Sequence, residues 1–107
     1  MEEEYIIKTD SYDFDERLSA PLALVLFYDH MDNNCRGFES IIEEVAEKYY
    51  ESVVFLSVDI EQSPDLAYRY SVGTVPYVIL FSDGAPVCDA EGANLPGVYL
   101  DMIESEL

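Results

Sequence analysis

Four residues whose side chains can do acid–base, thiol or metal chemistry lie close together after an apolar run: Asp29, His30, Asp32 and Cys35. Carboxylate, imidazole and thiolate groups all bind divalent metals in proteins. The spacing of these four residues matches no closed zinc site, and His30 is interpreted more simply as an exposed loop histidine. We therefore predict neither a metal site nor a cofactor.

The elements on both sides determine where this polar loop lies. Leu22–Tyr28 is an unbroken apolar run, which is typical of a strand covered on both faces. From Phe38 onwards apolar residues recur at helical spacing, and the pattern predicts a long helix over about residues 35–50. Counting back along that pattern places Cys35 on the covered side, as a partly shielded thiol. The loop therefore follows the carboxyl end of a strand and precedes a helix, where open α/β sheets place their ligands.

The remaining segments alternate in the same way and predict a single α/β domain over residues 1–107. Apolar runs punctuated by Pro, Gly, Ser and Asp indicate further strands and helices. The predicted strands are residues 5–8, 53–58, 77–81 and 87–90, and the predicted helices are residues 11–18, 64–70 and the segment after Pro96. The predicted order is βαβαβαββα.

The charge of the chain excludes several classes of function. With 23 acidic and 5 basic residues, its formal net charge is −18. Phosphate backbones and anionic membrane surfaces would be repelled, so we expect no nucleic acid and no membrane as a partner. The first residues lack the basic and apolar regions of a secretory signal, and the predicted location is cytoplasmic. The spread of acids is interpreted as a solvated surface, with a basic partner protein or loose divalent cations as alternatives.

Three stretches carry a resemblance to a known family. They are Leu-Phe-Tyr-Asp-His-Met-Asp-Asn-Asn-Cys-Arg at 26–36, Val-Asp-Ile-Glu-Gln-Ser-Pro-Asp-Leu-Ala-Tyr-Arg-Tyr-Ser-Val-Gly-Thr-Val-Pro-Tyr at 58–77, and Leu-Phe-Ser-Asp-Gly at 80–84. Together they resemble thioredoxin over nearly the whole chain. The resemblance implies the thioredoxin fold: a central mixed sheet of three parallel strands plus an antiparallel C-terminal hairpin strand, with helices on both faces.

The same resemblance draws attention to the loop. Thioredoxins carry Cys-Gly-Pro-Cys where this chain has Asp32, Asn33, Asn34 and Cys35. The attacking thiol is thus replaced by a carboxylate, and Cys35 matches the resolving position. Asp32 cannot attack a disulfide, and its charge opposes ionisation of Cys35, whereas the helix end and Arg36 favour it.

Three further departures from the family accompany this one. Leu26 and Ser57 occupy the positions of a buried acid and a buried Lys that serve proton transfer in thioredoxins, and Met31 replaces the tryptophan before the motif. Both charges are absent together, which avoids the high cost of burying one charge without its partner. The substitutions together indicate that the redox function is weakened.

What the resemblance preserves is a surface for binding peptides. Val75-Pro76 matches the cis-proline turn beside the active loop, and Gly92 matches a glycine that keeps the adjoining groove open. We call the following seven residues the binding edge: Asp32, Asn33, Asn34, Thr74, Val75, Pro76 and Gly92. A protein or extended peptide would pair with its main chain in the manner of a strand.

Three functions follow from these features. The first is a monomeric, non-catalytic binding or adaptor module whose partner lies along Val75 and Pro76. The second is a monothiol redox protein in which Cys35 is catalytic. The third is an acidic module that binds calcium weakly. Cys88 is interpreted as a packing residue, and a bridge from Cys35 to Cys88 is not expected.

Overall fold

The computed structural model describes residues 4–107, and its elements follow the predicted βαβαβαββα order. The five strands are β1 (Ile6–Lys8), β2 (Leu22–Tyr28), β3 (Val54–Asp59), β4 (Tyr77–Ser82) and β5 (Ala85–Glu91). The four α-helices are α1 (Phe14–Arg17), α2 (Phe38–Tyr49), α3 (Pro64–Arg69) and α4 (Pro96–Glu104). The observed bounds differ from the predicted ones by a few residues, as helix and strand ends usually do.

One mixed sheet joins all five strands in the order β1-β3-β2-β4-β5. β3 pairs in parallel with both β1 and β2, whereas β4 pairs antiparallel with β2 and with β5. The central strand β2 is buried along almost its whole length, which explains its continuous apolar sequence. The hairpin thus adds two strands to a parallel group of three.

Each face of the sheet has its own apolar core. On one face α2 and α4 pack over side chains that include Leu24, Leu26 and Phe55, all with under 3% exposure. On the other face Phe14 and Leu66, from α1 and α3, pack over Phe27 and neighbouring strand residues. Because both faces are covered, the polar loops at the strand ends are the natural place for a site.

The start of α2 differs from the prediction of a helix from about Cys35. Asn33–Cys35 forms a separate 3-10 turn, and α2 begins only at Phe38. Gly37, between the two, has a φ of +77°, a left-handed conformation that interrupts helical geometry and favours glycine. The predicted helix was therefore wrong at its amino end.

Among residues 4–107, the helices are all too short or too polar to cross a membrane.

Candidate functional site

The strand register brings the loop after β2 to the segment before β4. Phe27 pairs with Tyr77 across the antiparallel β2–β4 ladder, so Pro76 lies where β2 ends and the loop begins. The backbone N–H of Gly92 donates to the carbonyl of Pro76 at 2.9 Å, which adds the end of β5 to the same place. Three parts of the binding edge therefore converge at one end of the sheet.

The main chain beside Pro76 makes few hydrogen bonds within the described residues. The Val75–Pro76 peptide bond is cis, Pro76 is buried, and Val75 is half-buried. Within the described part of the chain, neither Thr74 nor Val75 makes a main-chain hydrogen bond. Unpaired N–H and C=O groups at such an edge are what an extended peptide uses when it adds as a strand.

The loop after β2 is held by its own carboxylates. An Asp29 carboxylate oxygen accepts from the backbone N–H of Met31 at 2.9 Å, and an Asp32 oxygen accepts from that of Asn34 at 2.7 Å. Asp32 is the N-cap of the 3-10 turn, and the Cys35 backbone N–H donates to the Asp32 carbonyl at 3.1 Å. Asp32 thus fixes the turn that positions Cys35.

The Cys35 thiol is half-buried, as predicted, and free. Burial is the main cause that raises its pKa, and the carboxylates of Asp32, Asp29 and Asp59 raise it further. A hydrogen bond from the backbone N–H of Asp29 acts in the opposite direction. Arg36, which the sequence suggested as a favourable influence, is not among the causes. The thiol is thus held in its protonated, less nucleophilic form.

A second polar group forms where β2 and β3 end together. Asp59, with 8% of its side chain exposed, lies 2.8 Å from His30 through Oδ2 and Nδ1, and its Oδ1 accepts from the backbone N–H of Glu61 at 3.0 Å. These bonds satisfy a carboxylate that would otherwise be costly to bury. The bond to Asp59 is the main cause that raises the pKa of His30. Asp29, His30 and Asp59 offer atoms within 4.8 Å of one another.

Two buried positions beneath the loop carry no charge. Leu26 and Ser57 pair in register on neighbouring strands, and both are buried, with 2% exposure each. The hydroxyl of Ser57 has no hydrogen-bond partner in the described residues. Neither position therefore supplies an ionisable acid or base for proton transfer to Cys35.

The polar residues that the sequence grouped together lie in two separate groups in the structure. Asp29 and His30 are joined by Asp59, which the sequence analysis did not include, whereas Asp32 and Cys35 belong to the separate turn. His30 is exposed as predicted, with 52% of its side chain accessible, but its bond to Asp59 was not predicted. The missed signal was the position of Asp59 at the end of a parallel strand adjacent to β2.

Comparisons with known proteins agree with this architecture and extend it. A family model described as Thioredoxin matches residues 5–104. A thioredoxin of Staphylococcus aureus (strain Mu50 / ATCC 700699) is 32% identical over 102 residues, which cover 95% of this chain and 98% of that protein.

Solved structures give the same result. A mutant thioredoxin from Halobacterium salinarum NRC-1 superposes with a TM-score of 0.87 at 26% identity, covering 94% of this chain and 89% of that one. Mitochondrial thioredoxin 3 from Saccharomyces cerevisiae, in its oxidized form, has a TM-score of 0.84 at 24% identity, with 94% of each chain covered. That second likeness shows the fold alone.

The molecule is therefore an α/β protein with the thioredoxin fold, as the sequence predicted. The chain belongs to the thioredoxin family.

Proposed function

We propose that this thioredoxin-family chain lacks the dithiol pair and acts as a non-catalytic module that binds an extended polypeptide segment at the binding edge. The observation that carries the proposal is the unpaired main chain of Thr74 and Val75 beside the polar loop. It offers hydrogen bonds to a partner strand without any change in the fold. The residues of the binding edge, and a cytoplasmic location, stay predictions.

The loop chemistry supports binding rather than disulfide reduction. Asp32 uses its carboxylate to cap the turn, a role that needs an acceptor oxygen and no thiol. The pKa of Cys35 is raised by burial and by three neighbouring carboxylates, which is the opposite of what a reactive thiolate requires. Leu26 and Ser57 place no ionisable group at their two buried positions.

Insulin reduction with dithiothreitol tests the absence of reductase activity. We expect this protein to reduce insulin no faster than its Cys35→Ser variant, because a half-buried monothiol has no intramolecular resolving partner. The Staphylococcus aureus thioredoxin serves as the positive control. Turnover close to that control, and lost in Cys35→Ser, would overturn the proposal.

A pair of glycines allows a direct test of the binding edge. Gly92 and Gly84 have similar φ angles, +76° and +82°, and an added Cβ would meet no atom within 4 Å at either position. Gly92→Ala and Gly84→Ala should therefore lower the free energy of unfolding alike, by about 1–2 kcal/mol. Only Gly92 adjoins Pro76, whereas Gly84 lies in the β4–β5 turn.

The readout is the affinity for peptides selected from a random library of roughly twelve-residue peptides, measured by fluorescence anisotropy. Gly92→Ala should raise Kd at least about fivefold, near 1 kcal/mol, because the new methyl group occupies space needed by the partner. Gly84→Ala should leave Kd within about twofold. Equal effects of the two variants would refute a partner at the binding edge.

A monothiol redox function is the second candidate, and family membership favours it. The curated relative is named thioredoxin, and Cys35 is a free thiol next to the binding edge. In this function the Cys35 thiolate would attack a disulfide of its partner and form a mixed disulfide, and the second partner sulfur would leave as a thiolate. The rate of Cys35 alkylation separates it from pure binding, because a redox thiol should react faster than a thiol in an unfolded chain. Calcium binding stays a prediction that no particular contact favours.

A further inference from the structure

Carboxylates surround the binding edge from several elements. Asp29 and Asp32 lie in the loop after β2, Asp59 and Glu61 lie at and after the end of β3, and Glu91 ends β5. Glu91 pairs in register with Tyr77, the residue after Pro76, and Tyr28 pairs with Asp59. We call the five acidic residues Asp29, Asp32, Asp59, Glu61 and Glu91 the edge carboxylates. They converge on the end of the sheet where Val75 leaves its main chain unpaired.

Three of the edge carboxylates are shielded from water, whereas Glu61 and Glu91 are exposed like most acids of the chain. Asp59 is buried, and Asp29 and Asp32 are half-buried, whereas a surface tuned only for solubility would keep its charges in water. The three shielded carboxylates also act on the same group, because the charges of Asp32, Asp29 and Asp59 all raise the pKa of Cys35. Three carboxylates thus act together on one point at this end of the sheet.

Few cations at this end offset that charge. His30 bonds Asp59, and Arg36 is exposed after the 3-10 turn. Two of the remaining basic residues are used elsewhere: Arg17 pairs with Asp13 at 2.7 Å, and Arg69 pairs with Asp15 at 2.8 Å. The edge carboxylates therefore outnumber the nearby cations.

We propose that the segment bound at the binding edge is basic, with lysine or arginine side chains flanking the residues that pair with Thr74 and Val75. This inference rests on the proposed function and adds the chemistry of the partner. A neutral segment would strip water from half-buried carboxylates and leave them uncompensated, and an acidic segment would be repelled. A basic segment supplies charge-assisted hydrogen bonds to the same oxygens and is steered towards them during encounter.

Selection from the random peptide library tests the proposal. It is run near physiological ionic strength, where the Debye length is about 8 Å and distant surface charges are largely screened. We expect the selected peptides to be enriched in lysine and arginine relative to the unselected library. Selected peptides that bind through the binding edge, lose affinity in Gly92→Ala and carry no such excess would overturn the inference and leave the proposed function intact.

Charge-neutralised variants then identify which carboxylates matter. The edge variant combines Asp29→Asn, Asp32→Asn and Glu91→Gln, and the asparagines keep the oxygens that accept from the Met31 and Asn34 backbone. It should raise Kd for the basic peptides at least about fivefold. The thermal unfolding of this variant is also measured, to show that the protein is folded at the temperature at which Kd is determined.

The matched control removes the same charge from another surface. Glu44, Glu47 and Glu51 are exposed in and just after α2, and their replacement by glutamine changes the net charge equally. This control should leave Kd within about twofold. An equal loss in both triple variants would mean general attraction to an acidic protein and would overturn the inference. If no selected peptide loses affinity in Gly92→Ala, the proposed function fails, and this inference fails with it.

Discussion

Cys35 and Cys88 are two thiols with similar surroundings in two different kinds of backbone. Both are free and half-buried, and for both the pKa is raised first by burial and then by carboxylates. Cys35 lies in the loop where thioredoxins do their chemistry, whereas Cys88 lies on β5 of the hairpin. For both thiols the shift is thus away from the reactive thiolate.

The backbone is what separates them. The Cys35 N–H donates to the carbonyl of the residue three before it, Asp32, at 3.1 Å, which closes a tight turn. Residues at the ends of such a turn have Cα atoms under about 7 Å apart, within the range of a disulfide. Cys88 is in an extended strand, where a residue three positions away is about 10 Å distant. The turn therefore places residues 32 and 35 at a separation that a disulfide can span.

The largest effect should come from placing a second thiol at position 32. Asp32→Cys should yield a protein that forms a disulfide with Cys35 under mild oxidation and reduces insulin at least about tenfold faster than the wild type. The reason is that a second thiol in the turn attacks a mixed disulfide intramolecularly. Insulin turbidity and mass spectrometry of the alkylated protein measure the two outcomes.

Ala85→Cys is the matched control for this variant. It creates the same Cys-x-x-Cys spacing with Cys88, but along the extended β5 strand. We expect neither an internal disulfide nor insulin reduction from it. If Ala85→Cys matched Asp32→Cys, spacing in sequence rather than the turn would govern the activity.

The next largest effect concerns the intrinsic reactivity of the two thiols. At neutral pH, Cys35 in Cys88→Ser and Cys88 in Cys35→Ser should both react with iodoacetamide several-fold more slowly than a thiol in an unfolded peptide. Their raised pKa values lower the thiolate fraction below the few per cent of an ordinary cysteine, and burial limits access. Both rates should rise with pH up to a midpoint above the ordinary value of about 8.5.

If Cys35 reacted faster than the unfolded reference, it would be an activated thiol and not one shielded like Cys88. That result would favour the monothiol redox function. The unfolded reference is each single-cysteine variant in guanidinium chloride, so that the same residue serves as its own standard.

The sequence was sufficient for much of the fold because its strongest patterns are local. The apolar run of β2 and the helical spacing after Phe38 each predict an element without knowledge of its neighbours. The amino end of α2 could not be predicted in this way, since the interruption depends on the left-handed conformation of Gly37. The half-burial of Cys35 was predicted correctly by extending a helix that does not in fact reach it.

The site was less predictable because its contacts are long-range. His30 and Asp59 are 29 positions apart, and they meet only because Tyr28 pairs with Asp59 in the β2–β3 ladder. Likewise, the bond from Gly92 to Pro76 depends on the β4–β5 register, which has a shift between Leu80 and Phe81. Residue patterns do not fix such registers, and the binding edge was inferred from the family resemblance instead.

The smallest effect tests the carboxylates beside each thiol. Asp32→Asn should lower the pKa of Cys35, because removing a neighbouring negative charge stabilises the thiolate. The larger thiolate fraction should make alkylation at neutral pH about two- to threefold faster. Asparagine keeps the oxygen that accepts from the Asn34 backbone, so the turn is retained.

Glu106→Gln is the equivalent change for Cys88, whose pKa the Glu106 charge raises. Each variant should accelerate its own thiol and leave the other at the wild-type rate, because charges separated by more than about 8 Å are largely screened at physiological ionic strength. The pH dependence of alkylation in single-cysteine backgrounds measures both midpoints. If Asp32→Asn left the Cys35 midpoint unchanged, the carboxylate would act only as a cap, and the low reactivity of Cys35 would be due to burial.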